Sequence, residues 1–430
     1  MKIKVRHLTL ANLCLMAFIL YIDRVNISVA GPLVRKELGL SATELGVVFS
    51  AFAYPYAFMQ IFGGWLSDKF GPRIILGVLS ALWAIATVMT GVSSGIAALI
   101  VWRVLVGVGE GGAFPAATRA FTSWMPVRQR GFAQGITHSS SRLGGAVTPP
   151  IVLAIVVVYG WRASFIVLGV ASLLWTVGWV LLFRNTPAED RWVTDAEIAE
   201  IGAPSRRSID RPRKTPWREM ISRMWLVTLV DFCYGWSLWV FLTWLPSYLS
   251  EARGFKLSQM AIMTMLPLMG GVVGDTLGGV ASDAIFRRTG NLRLARRLPL
   301  VVGLVGAVVF ILPAVMTASP ITAVYYLALS FFCLELTNAV LWSLPLDIAG
   351  EFAGTAGGMM NTGFGVAGMV SPVVFGFVIQ HTGSYQLPFF FSAGLLIVGA
   401  LCSLRIDPNR KLQTSTEVPY SSVKGLSFVK

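Results

Sequence analysis

Charge is scarce in this chain. Only 13% of its 430 residues are Asp, Glu, Lys or Arg, whereas 55% are hydrophobic and the mean hydropathy is +0.69. Soluble domains carry about 25% charged residues. The composition excludes such a domain and points to a polytopic helical membrane protein. Histidine and cysteine are scarcer still, with three and four residues. Cys14, Cys233, Cys333 and Cys402 stand singly in apolar stretches, without metal or redox spacing, and read as small packing residues. No metal cluster, nucleotide loop or catalytic triad emerges, so no enzyme activity, cofactor or metal is expected. Gly107-Val108-Gly109-Glu110-Gly111-Gly112 looks like a glycine-rich loop, but it lies inside a hydrophobic run, which argues against phosphate binding.

Acidic residues are outnumbered, which leaves a net charge of +14. The cations are not spread as a nucleic-acid surface would need. Arg206, Arg207, Arg211, Arg213, Lys214 and Arg218 share one polar loop, and Arg287, Arg288, Arg293, Arg296 and Arg297 share another. The positive-inside rule makes such loops cytoplasmic, where they also meet anionic lipid. With the N-terminus inside, Lys69, Arg73, Arg128 and Arg130 fall on that side too, and the opposite loops hold few cations beyond Arg35, Lys36, Arg162, Arg253 and Lys256. Both termini are therefore expected in the cytoplasm. The first apolar run continues into Asp23-Arg24 without a small-residue cleavage site, so it reads as the first spanning helix rather than a removable signal.

Apolar segments fall at 9–30, 44–66, 74–92, 95–118, 132–158, 163–183, 224–249, 259–285, 298–317, 320–343, 355–379 and 386–404. Twelve transmembrane helices are predicted, six on each side of a polar stretch. The division expected is an all-α N-terminal bundle over 1–184, a cytoplasmic linker over 185–222, a C-terminal bundle over 223–405 and a tail over 406–430. Asp195 to Glu200 has the makings of a short surface helix within the linker. The halves echo each other. Gly63-Gly64-Trp65-Leu66-Ser67-Asp68-Lys69-Phe70-Gly71-Pro72-Arg73 closes the second helix, and Gly278-Gly279-Val280-Ala281-Ser282-Asp283 closes the eighth. An internal repeat of this kind is a transporter signature.

Charges inside the apolar segments stand out against this background, because each costs at least about 2.5–3.5 kcal/mol at a helix centre. Arg103 and Glu110 are seven apart and share a helix face, so they form a candidate pair. Gly107, Gly109, Gly111 and Gly112 allow close approach by another helix. Arg24 lies too deep in helix 1 to snorkel and offers a planar fork for a carboxylate. Asp23 precedes it, and the two side chains diverge by about 100° on a helix, so they need not pair.

Gly64, Asp68, Lys69, Gly71 and Arg73 resemble the loop motif of the major facilitator superfamily. There Asp68 would latch the cytoplasmic helix ends while Lys69 and Arg73 stay in solvent. Pro72 takes a place that is often basic in the family. Within that superfamily the chain is similar, over nearly its whole length, to the anion:cation symporters. That group includes sugar-acid transporters, sialin and vesicular glutamate transporters. The similarity is carried by Tyr21-Ile22-Asp23-Arg24, by Arg103 with Glu110, by Cys233-Tyr234-Gly235-Trp236 and by Phe241-Leu242-Thr243-Trp244-Leu245-Pro246-Ser247-Tyr248-Leu249.

The resemblance implies two six-helix pseudo-symmetric bundles and the symport of a small organic anion, a sugar acid, with protons. The setting implied is a bacterial inner membrane, and the chain is expected to act as a monomer. Sodium- or potential-driven transport, or a non-transporting sugar-acid sensor, are the alternatives. By the same resemblance Arg24 holds the substrate's carboxylate, Asp23 and Glu110 carry protons, and Tyr21, Tyr56 and Asn361 meet hydroxyls. Arg103, Asp68, Lys69, Arg73 and Asp283 have structural or gating parts. Arg142 departs from several sugar-acid relatives, in which glutamine stands there. It either reads a second anionic group or pairs with a helix-8 acid such as Asp275. His138, on the same face, packs or relays protons. Trp236 and Trp239 offer a cavity wall, and Glu335, in the same helix as Asn338, is an intramembrane carboxylate suited to pairing.

Overall fold

The computed structural model describes residues 4–126, 129–201, 216–349 and 353–412, and among them all regular structure is helical. The first half comprises α1 (Val5–Leu38), α2 (Ala42–Ala51), α3 (Ala53–Phe70), α4 (Pro72–Gly91), α5 (Ile96–Gly111), α6 (Ala113–Trp124) and α7 (Arg130–Leu182). A short helix, α8 (Asp195–Ile201), follows. The second half comprises α9 (Trp217–Ser247), α10 (Leu257–Thr289), α11 (Leu292–Met316), α12 (Pro320–Glu335), α13 (Asn338–Ala349), α14 (Ala353–Thr382) and α15 (Gln386–Ser403).

These helices make eleven apolar spans among the described residues. The fifth, Gly135–Leu182, is 48 residues long. One crossing needs about 20 residues, so this span crosses twice. Gly160, with φ 81° and ψ 168°, bends α7 where the sequence suggested a loop over 159–162. The twelve crossings of the predicted all-α fold are present. Helices extend beyond the apolar runs, because polar residues at the ends can continue a helix into headgroups: α1 runs to Leu38 rather than residue 30. Ser41 then starts α2 with a capping box, its Oγ accepting from Glu44 N at 3.2 Å and its N donating to Glu44 Oε2 at 2.8 Å.

In the first half α1 and α4 both pack on α7, and α4 packs on α5. In the second, α9 packs on α14 and α12 on α10 and α11. The halves meet where α2 faces α14, α7 faces α10 and α1 faces α9. At the end remote from the N-terminus they are drawn together. Arg35 Nη1 pairs with Glu251 Oε2 at 2.5 Å, and Tyr385 Oη donates to the same oxygen at 2.7 Å. Gly46 of α2 lies so close to the Pro372 carbonyl of α14 that a Cβ there would overlap it.

The expected surface helix is α8. It grips the start of α1 through Glu197, whose Oε1 accepts from Arg6 N at 3.0 Å, and through Glu200, which pairs with Arg6 at 2.6 Å and with Lys4. The cations Arg206, Arg207, Arg211, Arg213, Lys214 and Arg128 lie outside the described residues, as does the tail beyond residue 412.

Candidate functional site

The glycines of α5 set the site's geometry. A Cβ at Gly107 would overlap the Phe52 carbonyl, and one at Gly111 would come within 2.7 Å of the Tyr56 carbonyl. On the other face, a Cβ at Gly109 would come within 2.7 Å of the Leu79 carbonyl of α4. Backbone can approach this closely only where no side chain intervenes. The packing lays the turn holding Phe52 and Tyr56 against α5 just where Glu110 emerges. The span then breaks at Gly112, between α5 and α6.

Glu110 exposes no surface, and its partner is Arg24 of α1. Arg24 Nε and Nη2 both donate to Oε2, at 3.0 and 2.9 Å, and Oε1 has no partner among the described residues. The guanidinium carbon sits 4.7 Å from the centroid of Tyr21, 4.8 Å from Phe52 and 4.6 Å from Tyr56. Each such ring attracts a cation by about 0.5–2 kcal/mol, so three rings cage the arginine. The same-face pairing of Arg103 with Glu110 is not the one adopted. Arg103 is buried 4.9 Å from the Phe52 centroid, with its Nε unpartnered. Phe52 thus touches both guanidiniums, and the shorter reach to Glu110 belongs to Arg24. Asp23 does turn away from Arg24, as helix geometry predicted: its Oδ2 accepts from Ser172 Oγ of α7 at 2.5 Å, and its Oδ1 has no partner among the described residues.

Arg142 of α7 comes within 5.8 Å of the same Tyr21 ring. Its acid is not Asp275 but Glu335, with Nη2 at 3.3 Å from Oε2, and the same nitrogen donates to Tyr234 Oη at 3.2 Å. Asp275 is taken by Asn338, whose Nδ2 donates to it at 3.0 Å. The Arg142–Glu335 pair therefore joins the two halves. His138 packs, stacked on Phe114 with centroids 4.9 Å apart and 6.1 Å from Trp342.

Trp239 is buried between the halves. It donates through Nε1 to the Phe364 carbonyl at 3.2 Å, and its ring faces Phe52 at 6.0 Å across the halves. Trp236 packs instead on Phe391 within the second half. Asn361 is half-buried on α14, and no hydrogen bond among the described residues ties it to either arginine. Lys69 is exposed over Trp65 and Phe70. Arg73 departs from the expected solvent position: Nε and Nη2 donate to the Val180 carbonyl at 3.0 and 2.7 Å, because the helix end of α7 offers an unpaired acceptor nearby. The Asp68 side chain lies outside the described residues. Asp283 is exposed, while the preceding Ser282 is buried and accepts from Arg296 at 2.7 Å.

Phe52 and Tyr234 escaped the sequence reading of the site. Phe52 carried one available signal, a spacing of four from Tyr56 that places both rings on one face. Tyr234 was visible only as part of a motif.

Residues 13–370 match the family model described as Major Facilitator Superfamily. A protein of Cupriavidus necator named a probable sulfoacetate transporter is 65% identical over 410 residues, covering 95% of each chain. The hexuronate transporter of Bacillus subtilis is 32% identical over 391 residues, covering 90% of each. Among solved structures, a bacterial homologue of the lysosomal transporter Spinster superposes with a TM-score of 0.76 at 18% identity, covering 95% of this chain and 98% of that one. At that identity the likeness concerns the fold alone.

Proposed function

The chain belongs to the Major Facilitator Superfamily, and from that premise we propose that it carries a small organic anion with two negative groups, of the sulfoacetate kind, across a bacterial inner membrane together with protons. The observation that carries this reading is the pair of guanidiniums over one ring: Arg24 and Arg142 lie 4.7 and 5.8 Å from the Tyr21 centroid. A compact dianion needs a cation for each end, since desolvating a second charge without one is costly. The 65% identity to a protein named for sulfoacetate agrees with a small dianion. Sugar acids remain the comparison, because the Tyr21 and Tyr56 hydroxyls suit them and the hexuronate transporter is a relative.

Transport runs by alternating access of the two bundles, with both termini cytoplasmic and the chain acting as a monomer. A proton on Glu110 releases Arg24 from its present partner, and the freed fork takes one end of the anion. Asp23, with Oδ1 unpartnered among the described residues, is where that proton passes on, so this half carries one proton through its two acids. Arg142 takes the other end. When the bundles rock and the protons leave, Glu110 reclaims Arg24 and expels the anion. Each net positive charge carried inward across 100 mV contributes about 2.3 kcal/mol.

The test is a thermal-shift panel on purified protein with sulfoacetate, a sugar monocarboxylate and a sugar dicarboxylate, followed by uptake of the stabilising compound into proteoliposomes. Accumulation driven by a pH gradient without sodium supports the reading. Accumulation that needs sodium or a potential alone contradicts proton coupling, and binding without uptake supports a sensor.

A further inference from the structure

Glu335 has no part in that cycle, yet it occupies in the second half the station Glu110 holds in the first. Glu110 is the penultimate residue of α5, and the span breaks at Gly112; Glu335 is the last residue of α12, and the span breaks before Asn338. Neither glutamate exposes any surface. Each faces an arginine from a different span. α10 presses its glycines on Glu335, since a Cβ at Gly271 or Gly274 would lie 3.1 or 3.2 Å from its side chain.

The bond to Arg142 is looser than its counterpart. Arg24 gives Glu110 two hydrogen bonds, whereas Arg142 approaches Glu335 Oε2 only to 3.3 Å without an aligned hydrogen bond among the described residues. The polar groups facing Glu335 are Arg142 from α7, Tyr234 from α9 and Asp275 from α10, the last engaged by Asn338 of α13. A buried carboxylate so placed keeps its charge only while the arginine stays.

The buried arginines and their acids match in number, Arg24, Arg103 and Arg142 against Asp23, Glu110 and Glu335, and half-buried Asp275, held by Asn338, adds one further carboxyl beside Glu335. A dianion entering this low-dielectric interior leaves two negative charges uncompensated. Protonating one carboxylate beside each substrate-binding arginine restores the charge the site had before the anion entered. Resting on the dianion reading, we propose that Glu335 is a second exchange carboxylate: it neutralises Arg142 in the empty protein, is displaced by the anion's second negative group, and takes up a proton from solvent as it lets go. Coupling is then shared between the halves, one glutamate at each helix break.

The experiment is calorimetric titration of the purified full-length protein with sulfoacetate, repeated in buffers of different ionisation heat to count protons taken up on binding. Wild type should take up about two per anion. Glu335→Gln should still bind and should take up one fewer. Arg142→Gln should also take up one fewer, with weaker binding, because Glu335 without its cation keeps a proton throughout. An unchanged count in Glu335→Gln overturns the proposal, and so does a wild-type count of one or none if neither variant folds. If wild type binds a singly charged sugar acid and no dianion, the substrate reading fails. Glu335 then fails with it if Glu335→Gln leaves the count for that acid unchanged, and stands if the count falls.

Discussion

Arg24 gives both Nε and Nη2 to a single oxygen of Glu110, at 3.0 and 2.9 Å, and leaves the other oxygen of that carboxylate unpartnered. The pair is sealed on one side by Tyr21, Phe52 and Tyr56. In the proposed cycle, acid and substrate compete for this one fork.

Removing that fork should remove binding. Arg24→Ala leaves Glu110 buried without a cation, a loss of about 3–5 kcal/mol for breaking such a pair, and Glu110 then holds a proton. Arg24→Lys keeps the charge without the planar fork. Both are expected to weaken sulfoacetate by about a hundredfold or more, with Lys retaining the better fold by thermal melt. Affinity near wild type in either variant contradicts the assignment.

Glu110→Gln should separate exchange from net accumulation. A neutral amide mimics the protonated acid and frees Arg24 permanently. Substrate–substrate counterflow in proteoliposomes should persist, while uphill uptake driven by a pH gradient should fall to background. Normal accumulation would show that Glu110 is not the coupling group.

Two glycines should behave differently when given a methyl group. At Gly107 the added carbon meets the Phe52 carbonyl within one half, so Gly107→Ala strains the bundle in every state, by about 1–3 kcal/mol. At Gly46 it meets the Pro372 carbonyl of the other half, a contact that the proposed alternating-access cycle breaks when this end opens. Gly107→Ala should lower the melting temperature. Gly46→Ala should leave it near wild type and slow transport, an outcome read by comparing melts with uptake rates.

The bundle architecture was legible because lipid demands long apolar helices and because the second half repeats the first. The Asp23–Arg24 divergence was also legible, being a consequence of 100° per residue. The pairings were not. Sequence spacing proposed Arg103 for Glu110 and Asp275 for Arg142, since spacing sees a shared helix or a plausible neighbour. The partners found, Arg24 and Glu335, lie 86 residues from Glu110 and in the opposite half from Arg142 respectively. Phe52 decides the first case by lying against both guanidiniums, and Asn338 decides the second by engaging Asp275. Neither arrangement follows from periodicity, because both depend on how broken spans pack across one another.

The clamp of α8 on the start of α1 should be insensitive to physiological pH. The Arg6 and Lys4 hydrogen bonds hold the Glu200 carboxyl down at about 2, against about 4.3 for an unperturbed glutamate. A carboxyl lowered on folding contributes fully above its unfolded value and loses that contribution as pH falls through the folded one. The difference in melting temperature between wild type and Glu200→Gln should therefore stay flat over roughly pH 5 to 8 and shrink only in strong acid. A difference that grows or vanishes near neutrality would show that another group controls this contact.

The most direct measurement is the affinity of wild type and Arg142→Gln for sulfoacetate and for a singly charged sugar acid, side by side. Hydrogen bonds to charged groups contribute about 1.5–3 kcal/mol, so the variant should lose about ten- to a hundredfold for the dianion and change little for the monoanion. The preference of wild type for the doubly charged ligand should collapse accordingly. Equal losses for both ligands would contradict a two-arginine site and leave Arg142 as a structural partner of Glu335 alone.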